Sequence, residues 1–160
     1  MTEEPRDLLL FPGAFVVALS LRDGRPFRCR IRLSSGERRT FSSEEAPRAS
    51  DPGRLVESVF RGEAAYCGPL PPDLTDFERQ VLEETRRIPF GETRTYGTLA
   101  ERIGRPGSSR AVGRALGKNP LPLLIPCHRV VGKDGKMTGY SGGVAVKEAL
   151  LAWERASIAP

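Results

Sequence analysis

The sequence predicts an α+β fold made of two small domains, on three observations. Strand-like alternation fills the first part of the 160-residue chain, a proline-rich stretch interrupts it, and helical periodicity takes over beyond residue 76. We therefore expect a β-rich domain over residues 1–67, a linker over 68–75 and a mostly helical domain over 76–160. This length allows one ordinary core or two small ones.

The elements follow in order. Phe15-Val16-Val17-Ala18-Leu19-Ser20-Leu21 is β-prone, and Asp23-Gly24 supplies a turn. Phe27 to Leu33 alternates apolar residues with arginine, the pattern of a half-buried strand, with Cys29 on the inward face. Ser34-Ser35-Gly36 turns toward a weaker strand at Arg39-Thr40-Phe41. Asp51 is placed to cap a helix with Pro52 in its first turn. Leu55, Val56, Val59 and Phe60 form its apolar face, and Gly62 ends it. Gly68-Pro69-Leu70-Pro71-Pro72-Asp73 is too proline-rich for a helix or a central strand.

In the second half, Thr75-Asp76-Phe77-Glu78 reads as a capping box for a helix that buries Phe77, Val81 and Leu82 and stops before Pro89. Tyr96, Leu99, Ala100 and Ile103 then make the apolar stripe of a short helix. Gly104-Arg105-Pro106-Gly107 breaks it, and Ser108 or Ser109 can cap the next, whose inward face is Ala111, Val112, Ala115 and Leu116. The outer face of that helix carries Arg110, Gly113, Arg114 and Gly117. Glycine inside a helix costs about 1 kcal/mol relative to alanine, tolerable where a partner must approach the backbone. Arginines between the glycines suit phosphates, so a helix-turn-helix is a natural reading, its small-residue face better matched to a minor groove than to base reading in the major groove. A plain helical hairpin with a solvated arginine face has the same pattern. Further on, Val130-Val131 and Met137-Thr138 flank Lys133-Asp134-Gly135-Lys136, a hairpin signal. A last helix, Val144 to Ala156, puts Val146, Leu150 and Trp153 on one face.

Charge and cysteine usage narrow the function classes. The net charge is +5, yet residues 1–76 carry 11 Lys+Arg against 12 Asp+Glu, while residues 77–160 carry 14 against 8. The basic excess lies wholly in the helical half, which suggests a polyanionic partner there. No apolar run approaches the roughly 20 residues of a membrane-spanning helix, and the acidic start lacks a leader pattern, so a cytoplasmic protein is expected. Three cysteines at 29, 67 and 127 do not describe a disulfide framework. With a single histidine they also offer no zinc spacing, so neither metal nor cofactor is expected. Cys29 reads as a buried small hydrophobe and Cys67 as structural.

Cys127 differs from the other two. The rigid apolar run Pro120-Leu121-Pro122-Leu123-Leu124-Ile125-Pro126 delivers Cys127-His128-Arg129. A free thiol is only a few per cent thiolate at neutral pH, so a nucleophilic cysteine needs a base or a positive neighbour. His128 is the only imidazole in the chain. Adjacent side chains tend to point apart, so the two either touch directly or communicate through a bridging water. Glu154 leans toward the buried side of the last helix, and a buried carboxylate wants a partner such as His128. Gly139-Tyr140-Ser141-Gly142-Gly143 can line a pocket or form a bare surface turn.

From about Phe77 to Ala156 the sequence resembles the O6-alkylguanine-DNA alkyltransferase family. The resemblance rests on Ile125-Pro126-Cys127-His128-Arg129-Val130, on Gly117-Lys118-Asn119-Pro120 before it, and on Tyr140-Ser141-Gly142-Gly143 with Lys147-Glu148 after it. The N-terminal half matches only in layout, a small sheet with a helix like the family's ribonuclease-H-like domain. The resemblance implies direct-reversal repair of double-stranded DNA by a monomer. O6-alkylguanine, with O4-alkylthymine as a second substrate, is flipped out of a duplex bound through its minor groove, and its alkyl group moves irreversibly to Cys127. His128 would deprotonate Cys127 through water, with Glu154 orienting the imidazole. Asn119 would be the hinge before the active-site loop, Tyr96 would rotate the nucleotide, and Arg110 would replace the flipped base. Gly113, Arg114 and Gly117 would face the duplex, and Tyr140, Ser141, Val130 and Leu116 would form the pocket. The zinc ligands that some members carry in the N-terminal domain are not in this sequence.

Three other readings compete. Alkyltransferase-like proteins bind damage without repairing it, but lack the acceptor cysteine that stands here at 127. A Cys-His hydrolase would need an oxyanion hole and leaves the Gly/Arg helix unexplained. A DNA-binding regulator would carry Cys127 as an inert buried residue.

Overall fold

The computed structural model describes residues 6–10, 15–22, 25–33 and 52–160. Three strands, β1 (Arg6–Leu10), β2 (Phe15–Arg22) and β3 (Arg25–Leu33), form an antiparallel sheet in the order β1-β2-β3. The register pairs Phe15 with Leu33 and Leu19 with Cys29. Period-2 alternation then puts Phe15, Val17, Leu19, Cys29 and Ile31 on one buried face, while Arg28, Arg30 and Arg32 point to solvent. Strand β1 is not in the sequence reading, because its Leu8-Leu9-Leu10 run has no alternation to identify it. The Asp23-Gly24 turn, the strand at Arg39-Thr40-Phe41 and the Asp51 cap fall outside the described residues.

Helix α1 (Pro52–Phe60) packs against this sheet with Val56, Val59 and Phe60 buried, and Gly62 leaves it at φ +75°. The proline-rich stretch that follows is pinned rather than loose. Leu70 is buried, Arg79 donates to the Pro71 carbonyl, and Arg86 donates to the Gly68 carbonyl.

Helix α2 (Asp76–Arg86) starts on a complete capping box, with the Glu78 amide donating to Thr75 Oγ1 and the Thr75 amide to Glu78 Oε2. Helices α3 (Tyr96–Arg102) and α4 (Ser109–Gly117) pack on α2 and on each other. Gly104 and Gly107, at φ +70° and +83°, make the turn between them. Thr95 caps α3 through its side chain, whereas Ser108 stands at the N-cap of α4 without a side-chain bond. Val130-Val131 does not form a hairpin with Met137-Thr138. It is strand β5 (Val130–Val131), paired in parallel with β4 (Arg94–Thr95). A short 3-10 turn over Lys133–Gly135 follows, closed by the Gly132 amide donating to the Lys136 carbonyl, and among the described residues Met137-Thr138 forms no strand. Helix α5 (Val144–Ile158) runs two residues past the expected Ala156.

One contiguous apolar core joins both halves, from Phe15 and Ile31 through Phe60 and Leu82 to Ile125 and Leu150. Trp153 of α5 stacks on Phe60 at 5.1 Å and donates to its carbonyl, and the Cys29 amide donates to the Pro120 carbonyl at 2.7 Å. The sheet thus braces the segment that carries Cys127. Among the described residues no helix is long and apolar enough to cross a membrane.

Candidate active site

Residues 120–131 are almost wholly buried, which is rare for a loop, so its polar groups must find partners inside the protein. Asn119 supplies several of them. Its Oδ1 accepts from the Leu121 amide, and its Nδ2 donates both to the Ile125 carbonyl at 2.9 Å and to Cys127 Sγ at 3.1 Å. Leu123 adopts φ +77°, a left-handed conformation costly for a branched side chain, and is held there by its burial. A 3-10 turn over Cys127–Arg129 then directs consecutive side chains along different directions.

Cys127 reaches the floor of a cleft of about 770 Å³. Tyr96, Ser109, Arg110, Gly113, Arg114, Leu116, Gly117, Thr138, Gly139, Tyr140 and Ser141 form its walls. The Arg/Gly face of α4 and the Tyr140 loop therefore meet over the thiol. Thr138 donates to the Tyr96 hydroxyl at 2.9 Å, linking that loop to α3 at the rim. Val130, expected on the pocket wall, is fully buried in the core and does not line the cleft; its carbonyl accepts from Lys147 and its amide donates to the Cys127 carbonyl. The pairing of β5 with β4 turns its side chain away from the cleft.

His128 turns away from the thiol and forms no direct hydrogen bond with it. Its Nε2 lies 2.7 Å from Glu154 Oε1, while its Nδ1 is buried without a hydrogen-bond partner among the described residues. Glu154 is a shared node. Arg129 donates to both of its oxygens at 2.9–3.0 Å, and the Gly91 amide donates to Oε2. Burial works against the Glu154 charge, but His128 and Arg129 outweigh it and hold the carboxyl near 2. Burial pushes His128 below its ordinary range despite Glu154, so the imidazole is neutral at physiological pH. A carboxylate at Nε2 fixes the proton there and leaves the Nδ1 lone pair free to accept.

Burial likewise pushes the Cys127 thiol up to about 11, against the pull of the Asn119 amide and the Lys147 ammonium. At pH 7 the resting group is then almost wholly the thiol. Reaction requires a base. Lys147 itself is fully buried, donates to the Val130 and Thr138 carbonyls, and sits 5.8 Å from the Tyr96 ring centre. Neither Lys147 nor Arg129 carries an expected role from the sequence. A signal for Lys147 existed, since it lies three and four residues before Leu150 and Leu151 on the buried stripe of α5. Arg129 had none, because its partner is 25 residues away.

Cys29 is buried on β3 and Cys67 is exposed, its thiol 3.6 Å from the Ala65 carbonyl. Among the described residues no group of three or more His, Cys, Asp or Glu side chains is arranged to hold a metal ion.

Fold and site define a class: small α+β proteins that present one cysteine, backed by a His–Glu pair, beneath an arginine-edged helix. Comparison with known proteins narrows this. Residues 76–156 match the family described as 6-O-methylguanine DNA methyltransferase, DNA binding domain. A methylated-DNA–protein-cysteine methyltransferase of Methanosarcina acetivorans is 47% identical over 102 residues, 63% of this chain and 65% of that relative. The chain thus aligns with just under two thirds of that relative's length. The O6-methylguanine methyltransferase of Mycobacterium tuberculosis superimposes with a TM-score of 0.72 at 34% identity, covering 100% of this chain and 96% of that one. OGT of the same organism, crystallised in complex with DNA, gives 0.68 at 36% identity over 89% of this chain and 88% of that one. The chain belongs to the 6-O-methylguanine DNA methyltransferase family.

Proposed function

We propose that this protein repairs double-stranded DNA by moving the alkyl group of O6-alkylguanine onto Cys127, once per molecule. The observation that carries the reading is the arrangement around one sulfur. Cys127 Sγ opens to the cleft, Asn119 donates to it, and a neutral His128 backed by Glu154 keeps Nδ1 free. In the proposed step the Sγ proton leaves toward Nδ1 through a bridging water. The Sγ–carbon bond forms as the O6–carbon bond breaks, and its electron pair stays on the base. Returning the proton to the purine restores guanine. The thioether has no leaving route, so turnover stops.

Arg110, Gly113, Arg114 and Gly117 present small and cationic groups on one face of α4, suited to the minor groove of a duplex. A cleft of about 770 Å³ accommodates a flipped nucleotide base, with Tyr96 and Arg110 at its edge to rotate the nucleotide and fill the vacated stack. Tyr140 and Ser141 would hold the base, and O4-alkylthymine would be a second substrate. We further take the protein to act as a monomer, with residues 1–67 a ribonuclease-H-like domain, 68–75 a linker and 76–160 the DNA-binding and acceptor domain.

The test is direct. The protein is incubated with a duplex holding one O6-methylguanine, and the peptide containing Cys127 is weighed. One added methyl group per molecule, with loss of the lesion, is the expected result. A persistent lesion and an unmodified peptide would refute the reading, and Cys127→Ser serves as the blank.

A further inference from the structure

We propose that Arg129 is a positioning residue for the alkyl transfer: by clamping Glu154 as a permanent carboxylate, it keeps His128 Nδ1 free to receive the thiol proton. The inference rests on the function proposed above and assigns a part to a side chain that does not reach the cleft.

The geometry is that of a three-way node. Glu154 Oε1 faces His128 Nε2 at 2.7 Å and Arg129 Nη2 at 2.9 Å, and Arg129 Nε spans both oxygens at 3.0 Å. The Gly91 amide closes the remaining side of Oε2 at 2.9 Å. Arg129 is itself fixed, donating from Nη1 to the Ile88 carbonyl at 2.8 Å with its guanidinium 5.5 Å from the Phe90 ring centre. All three ionisable members of the node are buried, so their charges are weakly screened.

Consider the pair without the arginine. A buried carboxylate against a neutral imidazole takes up one proton readily, giving either carboxylate with imidazolium or carboxylic acid with the Nδ1–H imidazole. These are two descriptions of one protonated pair. Both place a proton on Nδ1, and neither can accept one from Cys127. The fixed positive charge of Arg129 opposes that uptake and holds Glu154 in the ionised form. Lys147, on the cleft side, acts in the same direction on His128, while Cys127 and Tyr140 are uncharged at neutral pH. The arginine therefore sets the pH below which the base is disabled.

The chain's single histidine makes the test unambiguous. Imidazole nitrogen NMR on the wild-type protein should give the Nε2–H tautomer at pH 7, and an Nδ1–H signal there would overturn the proposal. In Arg129→Met the protonation of the pair and the acid limb of the single-turnover transfer rate should both rise by about one pH unit. Arg129→Gln carries the same expectation should the methionine variant fail to fold. Arg129→Lys keeps the charge but not the fork, and should lower the peak rate while leaving the limb in place. A neutral variant that binds duplex normally with an unmoved limb and an unchanged titration refutes the assignment. Should the wild-type protein take no methyl group, the proposed function fails, yet the titration still decides what Arg129 does.

Discussion

Asn119 serves the fold and the chemistry with the same amide, which makes the two separable by substitution. Its Oδ1 satisfies the buried Leu121 amide, whereas its Nδ2 serves the Ile125 carbonyl and Cys127 Sγ. Asn119→Asp keeps the first bond, removes both donors, and places a negative charge beside the sulfur. The Ile125 carbonyl keeps the Cys127 amide at 2.7 Å, so the loop loses one of two donors there, about 0.5–1.5 kcal/mol. The thiolate loses a donor and gains a repulsion, and removing one such anion-stabilising donor typically costs 10²–10³ in rate. We expect single-turnover transfer to fall by about that factor, with a Tm loss modest beside it. A variant that loses stability but transfers at the wild-type rate would show that the Nδ2–sulfur contact is only structural.

At the scale of elements, α4 poses a question that a single methyl group can answer. Gly113 lies inside the helix, and a Cβ there would meet the Tyr96 ring at 3.6 Å, ordinary contact; at Gly117 it would meet nothing within 4 Å. Nothing among the described residues therefore demands glycine at either position. Gly113→Ala should stabilise the free protein by about 0.5–1 kcal/mol through helix propensity. The same methyl stands on the cleft face, so duplex affinity should fall; thermal denaturation and a binding titration check the two halves. Unchanged affinity would remove α4 from the duplex interface. Elements of this kind were legible in the sequence because their signals are local: the capping box at Thr75 and Glu78, the Leu99/Ala100 stripe, the Gly104 and Gly107 break. The pairing of β5 was not legible. Val130-Val131 finds its partner at Arg94–Thr95, more than thirty residues earlier, while a turn-forming tetrad beside it suggested a hairpin. Cys127, His128 and Glu154 could be picked out because their residue types are rare or oddly placed. Arg129 could not be, since in sequence a buried cation looks the same as a solvated one, and Lys147 was marked only by its place on the buried stripe of α5.

At the scale of the molecule, the described residues share one core, and the contact that ties its two ends is aromatic. Phe60 at the end of α1 meets Phe15 of the sheet edge-on at 5.5 Å and stacks against Trp153 of α5 at 5.1 Å. Trp153 also donates its indole N–H to the Phe60 carbonyl. One residue beyond it on α5 is Glu154, the acid of the site, so the sheet, α1 and the His–Glu pair are mechanically in series. Trp153 is half-buried, so replacing it by alanine removes only part of a packed side chain and should cost about 1–3 kcal/mol. If the halves are coupled as this packing implies, denaturant unfolding stays a single transition in both wild type and Trp153→Ala, displaced to lower denaturant. Transfer to Cys127 should slow as well, because the end of α5 that holds Glu154 loses its brace. A variant whose N-terminal sheet melts in a separate early step, with the transfer rate untouched, would mean that the sheet merely accompanies the site.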